Sequence, residues 1–343
     1  MLQRIKTLLH PEAFQGKKKK SPYFEGWYYK LVDRSEQNFL AVIPGIQINT
    51  DPEKSHAFIQ IYEGNTGIVE YKTYPLSAFR SADTEFDIWI GPNHFKADTM
   101  SLNIDSSKLS IKGNLTFHSQ KPWPVSLKSP GIMGWYAWIP FMECFHGIVS
   151  LDHEIQGTLT INAHVFDFTG GRGYTEKDWG RSFPEAWIWF QTNHFSKLGT
   201  SLTASIAIIP WIRKPFPGFI IGLWHKHHLY RFATYTGAKV TRLEISDKHI
   251  TWTVQNKHHV LKMEAAREKG GLLHAPSVEG MDRRIIESLD SKVFLSLTTR
   301  EKSGSQLIFK DSGRNVGFEA AGNLNRLAEM WKAGVTNESA IKY

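Results

Sequence analysis

Along most of the chain, apolar residues alternate with polar ones, or run together for five to eight residues, and then stop at Gly, Pro, Asn or Asp. Segments 23–32, 39–48, 57–62, 86–90, 109–117, 157–168, 186–195, 202–209, 218–224, 239–245, 250–254, 260–265, 293–298 and 306–309 all read this way. A period of two with frequent turn residues predicts many short strands, hence an all-β protein built as a barrel or sandwich. Helical spacing is scarce. It predicts a helix over 323–332, with Asn323 as its cap and Leu324, Leu327, Ala328 and Trp331 on one face. A shorter helix is expected near 4–9.

The pattern repeats. Glu25-Gly26-Trp27-Tyr28-Tyr29 resembles Glu185-Ala186-Trp187-Ile188-Trp189, and Phe58-Ile59, Tyr71-Lys72, Ile90 and His94 find partners in Phe219-Ile220, Tyr230-Arg231, Ile245 and His249 at offsets of 155–161. Two similar β units in tandem are expected, 21–169 and 170–343. The join falls at the glycine cluster Thr169-Gly170-Gly171-Arg172-Gly173, and a basic leader, 1–20, precedes both.

Charge changes the picture little beyond that leader. The chain of 343 residues has a formal charge of +8, and +5 of it lies in the first twenty residues, with Arg4, Lys6 and Lys17 to Lys20 set against Glu12. The body is too nearly neutral for a general nucleic-acid binder. The leader reads either as a solvated arm or as a peripheral contact with an anionic membrane surface. No stretch reads as a membrane span: 131–151 contains Pro140, Glu143 and His146. The single cysteine, Cys144, excludes an intramolecular disulfide and fits a reducing compartment, so a cytoplasmic protein is expected. Phosphate-cradling loops, nucleophile elbows and zinc-protease motifs are missing, and no cofactor is expected. His225 and His227 would share a face on a strand, but with no third ligand evident no metal is expected.

Aromatic residues make up 13% of the chain, and they gather around carboxylates. Alternation places Tyr23, Glu25, Trp27 and Tyr29 on one face, and Glu185, Trp187, Trp189 and Gln191 on another. A third segment sets Tyr174, Glu176 and Asp178 on one face, followed by Trp179. The stretch 134–147, with Trp135, Trp138, Glu143 and His146, suits the wall of a pocket for a long apolar molecule. In a dry cavity a carboxyl group stays protonated, and aromatic faces favour a developing carbocation; together they can protonate an alkene. Each of these residues could equally be a structural one.

These segments resemble the tocopherol cyclase family: Phe24-Glu25-Gly26-Trp27-Tyr28-Tyr29-Lys30, the Trp-rich run from Gly134 to Gly147, Tyr174-Thr175-Glu176-Lys177-Asp178-Trp179-Gly180, and Trp187-Ile188-Trp189-Phe190-Gln191-Thr192-Asn193. More distantly the chain is similar to carotenoid 1,2-hydratases. The resemblance implies two lipocalin-like barrels and cofactor-free cyclisation of a prenylated hydroquinone to a chromanol. It assigns Asp178 as leading proton donor, then Glu25 and Glu185. Trp27, Trp179, Trp187 and Trp189 are the implied walls, Tyr29 and Tyr174 orient the phenol, and Gln191 and Asn193 complete the implied substrate contacts. Asp178 stands where Asn is expected in the plant-like enzymes. Two rival readings are a carrier of a hydrophobic isoprenoid or quinone and an isoprenoid alkene hydratase.

Overall fold

The structure, a computed structural model, describes residues 7–301 and 304–340, with side chains to 332. The part of the basic leader that holds Arg4 and Lys6 lies outside the described residues, as does the start of the helix expected there; residues 7–9 are helical. The chain divides into two compact units, residues 1–183 with 270–285 and residues 184–269 with 286–343.

The first unit holds β1 (Tyr23–Val32), β2 (Phe39–Ile48), β3 (His56–Glu63), β4 (Ile68–Tyr74), β5 (Phe79–Ser81), β6 (Asp87–Ile90), β7 (Asn93–Lys96), β8 (Thr99–Asp105), β9 (Ser110–His118), β10 (Cys144–Ile161), β11 (His164–Asp167) and β12 (Arg172–Gly180). The second is built from β13 (Ala186–Thr192), β14 (Ser201–Ile209), β15 (Phe216–His225), β16 (His228–Ala233), β17 (Lys239–Ile245), β18 (His249–Gln255), β19 (His259–Ala266), β21 (Arg283–Thr299) and β22 (Leu307–Gly322), while β20 (Gly271–Ala275) belongs to the first unit. A helix, α1 (Leu324–Ala340), follows β22. Asn323 caps α1 through its side-chain oxygen, which accepts from Arg326 N at 3.1 Å. Leu327 is buried in the core, and Leu324 and Trp331 pack against it.

The two sheets share one connectivity. The first runs β4-β3-β2-β1-β12-β10-β9-β8-β7-β6-β5, and the second runs β16-β15-β14-β13-β22-β21-β19-β18-β17. In each, four consecutive strands form a meander, the last strand of the unit returns beside the first, and a long strand follows. The first three repeated sequence pairs fall on matching strands, β1 with β13, β3 with β15 and β4 with β16, whereas Ile90 on β6 and His94 on β7 lie one strand further along the sheet order than Ile245 on β17 and His249 on β18. Among the described residues the terminal strands of each sheet are not paired with one another. All the strand pairings are antiparallel. Each unit holds one apolar cluster, formed in the first by residues such as Trp27, Tyr29, Leu31, Ile59, Phe95 and Ile155, and in the second by Ile188, Phe190, Ile221, Trp252 and Leu295.

Alternation supplies the inward face of every strand, and turns with left-handed residues supply the reversals. Asn162 and Ala163, at φ 49 and 69, join β10 to β11, while Lys226 and His227, at φ 49 and 63, join β15 to β16. The second turn corrects the histidine pattern. His227 sits in the turn and not on a strand face, so His225 pairs with His228 across the hairpin, and its Nδ1 meets Thr200 Oγ1 at 2.9 Å. The glycine cluster 169–173 lies inside the first unit, where it leads into β12. A Cβ at Gly173 would come within 2.1 Å of His153 Nε2, so this position has room only for hydrogen.

Candidate active site

β12 is the pivot of the first sheet, lying between β1 and β10. Its register sets Asp178 opposite Gly26 on β1 and His146 on β10. Glu176 lies opposite Tyr28 and Ile148, and Tyr174 opposite Lys30. Because paired residues share a face, Tyr174, Glu176, Asp178, His146, Tyr28 and Lys30 all stand on the side away from the apolar cluster. Lys177 and Trp179 point to the other side, with Glu25 and Trp27 opposite Trp179 and Lys177 respectively. One strand therefore separates two charged sets of different character.

On the outer side, His146 Nδ1 lies 2.9 Å from Asp178 Oδ1, and its Nε2 lies 3.7 Å from Glu176 Oε2. The Tyr174 hydroxyl donates to Glu176 Oε2. The His146 and Asp178 side chains keep a narrow exposed edge, 15% and 23%, while Glu176 is nearly closed off at 6%. Burial opposes a charged imidazole here, but the Asp178 and Glu176 carboxylates and the hydrogen bond to Asp178 outweigh it and raise the His146 pKa to about 9. At neutral pH His146 is therefore an imidazolium. The ligand atoms of His146, Glu176 and Asp178 lie within 4.8 Å of one another, a spacing that could also hold a metal ion. Cys144, next on the same face, has its thiol pushed well up by burial and by the neighbouring acids Asp178, Glu143 and Glu176, which leaves it a poor nucleophile.

On the inner side, Glu25 and Lys177 form a fully buried ion pair at 2.6 Å. Glu25 also accepts from Gln15 N, at 2.9 and 3.0 Å to its two oxygens, and from the Tyr23 hydroxyl at 2.5 Å. Lys177 Nζ donates to the Pro11 carbonyl at 2.9 Å and to that of Ala13, and rests 4.9 and 4.6 Å from the Trp27 and Trp179 rings. Burial raises the Glu25 carboxyl and lowers the Lys177 ammonium, and each partner's charge and hydrogen bonds offset only part of that shift. Glu25 thus anchors the leader segment across the end of the first unit and is committed to four acceptor contacts. That differs from the uncommitted acid that the strand pattern led us to expect. Its partner lies 152 positions away in sequence, beyond the reach of local alternation.

The aromatic residues divide likewise. Trp27 is buried in the apolar cluster, donates Nε1 to Glu12 O at 2.8 Å and stacks on Phe86. Tyr29 donates to Lys96 O at 2.7 Å. Trp179 stacks on Phe145 at 5.5 Å. None of these three points to the His146–Asp178 side. Trp138 donates Nε1 to Leu127 O at 3.0 Å, Glu143 is half-buried, and Trp135 stands exposed instead of lining a wall.

In the second unit, Ile188 and Phe190 belong to the apolar cluster, so Trp187, Trp189 and Gln191 take the opposite face. The repeat between 25–29 and 185–189 is therefore one residue out of phase, and such a slip exchanges the faces of a strand. The same slip explains Glu185. It precedes β13, is half-exposed, and pairs with Arg326 at 2.6 Å, so it is not a buried acid in an aromatic row. The carboxylate that does join that row was missed: Glu319 on β22 lies opposite Trp189 and accepts from Trp187 Nε1 at 2.6 Å. Glu287 on β21, fully buried, is opposite Glu319. Glu319 and Glu287 occupy on β22 and β21 the topological place that Glu176, Asp178 and His146 occupy on β12 and β10. Asn193, just past β13, is also buried.

A family model of tocopherol cyclase-like proteins matches residues 103–322, more than half of the chain and all of β10, β12, β13 and β22. The chain belongs to the tocopherol cyclase-like family. A probable chloroplastic tocopherol cyclase of Oryza sativa subsp. japonica is 30% identical over 163 residues, which is 45% of this chain and 34% of that protein. The chloroplastic tocopherol cyclase of Zea mays is 27% identical over 172 residues, again 45% and 34%. The chain thus covers about a third of the length of these relatives. The solved structure of CghA shares the fold, with a TM-score of 0.53 at 10% identity over 88% of this chain and 89% of that one.

Proposed function

We propose that this chain is an acid-catalysed cyclase of a prenylated hydroquinone, working from two lipocalin-like β units without a cofactor. The observation that carries the reading is the His146–Asp178–Glu176–Tyr174 set. It brings two carboxyl groups and an imidazole together on a strand face that is largely closed to water yet turned away from the packed core. Asp178 passes to the double bond nearest the ring the proton that the His146 imidazolium supplies across the Nδ1–Oδ1 contact. The imidazolium Nδ1–H bond breaks, a C–H bond forms by way of Asp178 Oδ1, and a tertiary cation is left. The Asp178 and Glu176 carboxylates then face that cation. The phenolic oxygen closes on the cation, and its proton returns through Asp178 to His146, so substrate and product are isomers and no electrons are gained or lost. Glu176, held by the Tyr174 hydroxyl, keeps His146 charged. The names of the plant relatives support cyclisation over other alkene chemistry.

The test is incubation with a prenylated benzoquinol in deuterated water, followed by mass spectrometry. Cyclisation gives a chromanol with one deuterium on carbon. A product heavier by one water would replace the reading with hydration, and unchanged ligand that co-purifies with the protein would replace it with a carrier.

A further inference from the structure

The connection between β9 and β10 is the longest irregular segment described in the first unit, and it is not a passive loop. From Ser119 to Glu143 it contains a single acid, Glu143 at its β10 end, two lysines (Lys121 and Lys128), three Trp, one Tyr and one Phe. A tight turn with backbone bonds between Ser126 and Ser129 presents Leu127 and Lys128 at its tip. The bond from Trp138 Nε1 to the Leu127 carbonyl ties this turn to the short 3-10 helix Gly134–Trp138. Held in this way, Leu127 is 60% exposed, Phe141 49%, Trp135 45% and Val125 38%. These four exposed apolar residues all fall within 125–141 of the one connection.

We infer that this loop is a membrane-docking surface, and that its partner is a lipid bilayer carrying anionic headgroups. The chemistry is that of an interfacial anchor: Trp, Tyr and Phe at headgroup depth, aliphatic Leu127 and Val125 at the tip, and lysines with no acid among them. A second, electrostatic element is covalently at hand. Pro11 of the leader lies beside Gly131 of the loop, and the exposed Lys18, Lys19 and Lys20 follow it in sequence. An apolar anchor combined with a polybasic run is the pairing that gives stable peripheral binding where either alone is weak. The loop runs directly through Met142 into β10 and His146, so the bilayer would sit at the near end of the element that carries the site. The inference needs no particular reaction, because its test reads binding and not turnover.

The experiment is flotation of the full chain with vesicles of phosphatidylcholine containing about 30% phosphatidylglycerol. The wild-type protein is expected to float. The Leu127→Ser/Trp135→Ser/Phe141→Ser variant is expected to partition at least about tenfold less, because three exposed anchors are lost at no cost to the core. Phe141→Ser alone should show a smaller loss in the same direction, and Leu198→Ser, an exposed leucine of the second unit, should show none. Three results would overturn the inference: a wild-type protein that stays with the unbound fraction, a triple variant that floats as well as wild type, or a wild-type dimer in sedimentation that the triple substitution dissolves while vesicle binding is absent. The last outcome would make the surface an interface between copies.

Discussion

Replacing His146 with Gln should remove a pH-dependent part of the protein's stability. Two carboxylates raise the His146 pKa from 6.5 to about 9. The difference corresponds to about 3 kcal/mol in the affinity of the folded state for that proton. A group whose pKa is raised on folding stabilises fully below its unfolded value. Its contribution shrinks as pH climbs from about 6.5 and is gone above about 9. His146→Gln keeps a hydrogen-bond donor for Asp178 but cannot take up the proton. The assay is urea unfolding of both proteins across this range, taking the difference between them so that the other titrating groups cancel. The wild-type advantage should fall by about 3 kcal/mol between pH values below 6.5 and above 9. A difference that stays level across that window would refute the account of an imidazolium held by Asp178 and Glu176.

Further expectations follow from the same arrangement. Lys177→Met should cost about 3–5 kcal/mol in urea unfolding, because Glu25 is left buried without its cation; Glu25→Leu/Lys177→Met should recover most of that loss. Trp252→Ala, in the centre of the second core, should cost about 3–5 kcal/mol by the same measurement. Glu185→Gln should leave turnover unchanged and shift stability by no more than about 0.5 kcal/mol, as expected for an exposed pair. Turnover of the wild-type enzyme should fall as pH rises through about 9, where His146 loses its charge, and a rate profile that keeps rising above that pH would exclude an imidazolium from the reaction.

Much of the architecture was legible because alternation reports it directly. The strand at 23–32, the tandem repeat and the Asn323 cap all follow from local spacing, and the shared order of the two sheets agrees with the repeat. The face of each strand was legible only where neighbouring residues differ sharply. Tyr174, Glu176 and Asp178 do stand together, because a period of two cannot be misread over five residues. The repeat misled at Glu185, since Trp187 answers Trp27 in sequence but sits on the opposite face. Glu25 could not be read as an ion pair, because Lys177 reaches it only through the β1–β12 register. Glu319 and Glu287 lacked any local signal; Glu319 enters the Trp187–Trp189 row through the β13–β22 pairing, 130 positions from Trp189, and Glu287 joins only through its pairing with Glu319. Lys177 did leave a trace, for it lies between two carboxylates that alternation sends to the other side.

The central claim is that the substrate receives its proton through Asp178. It is tested most directly by comparing wild type with Asp178→Asn, each incubated with a prenylated benzoquinol in deuterated water and followed by mass spectrometry. The amide is nearly isosteric, and should keep the fold while slowing deuterium incorporation by a factor of about 100–10,000. Deuterated chromanol formed at the wild-type rate by Asp178→Asn would contradict the claim and move the acid elsewhere.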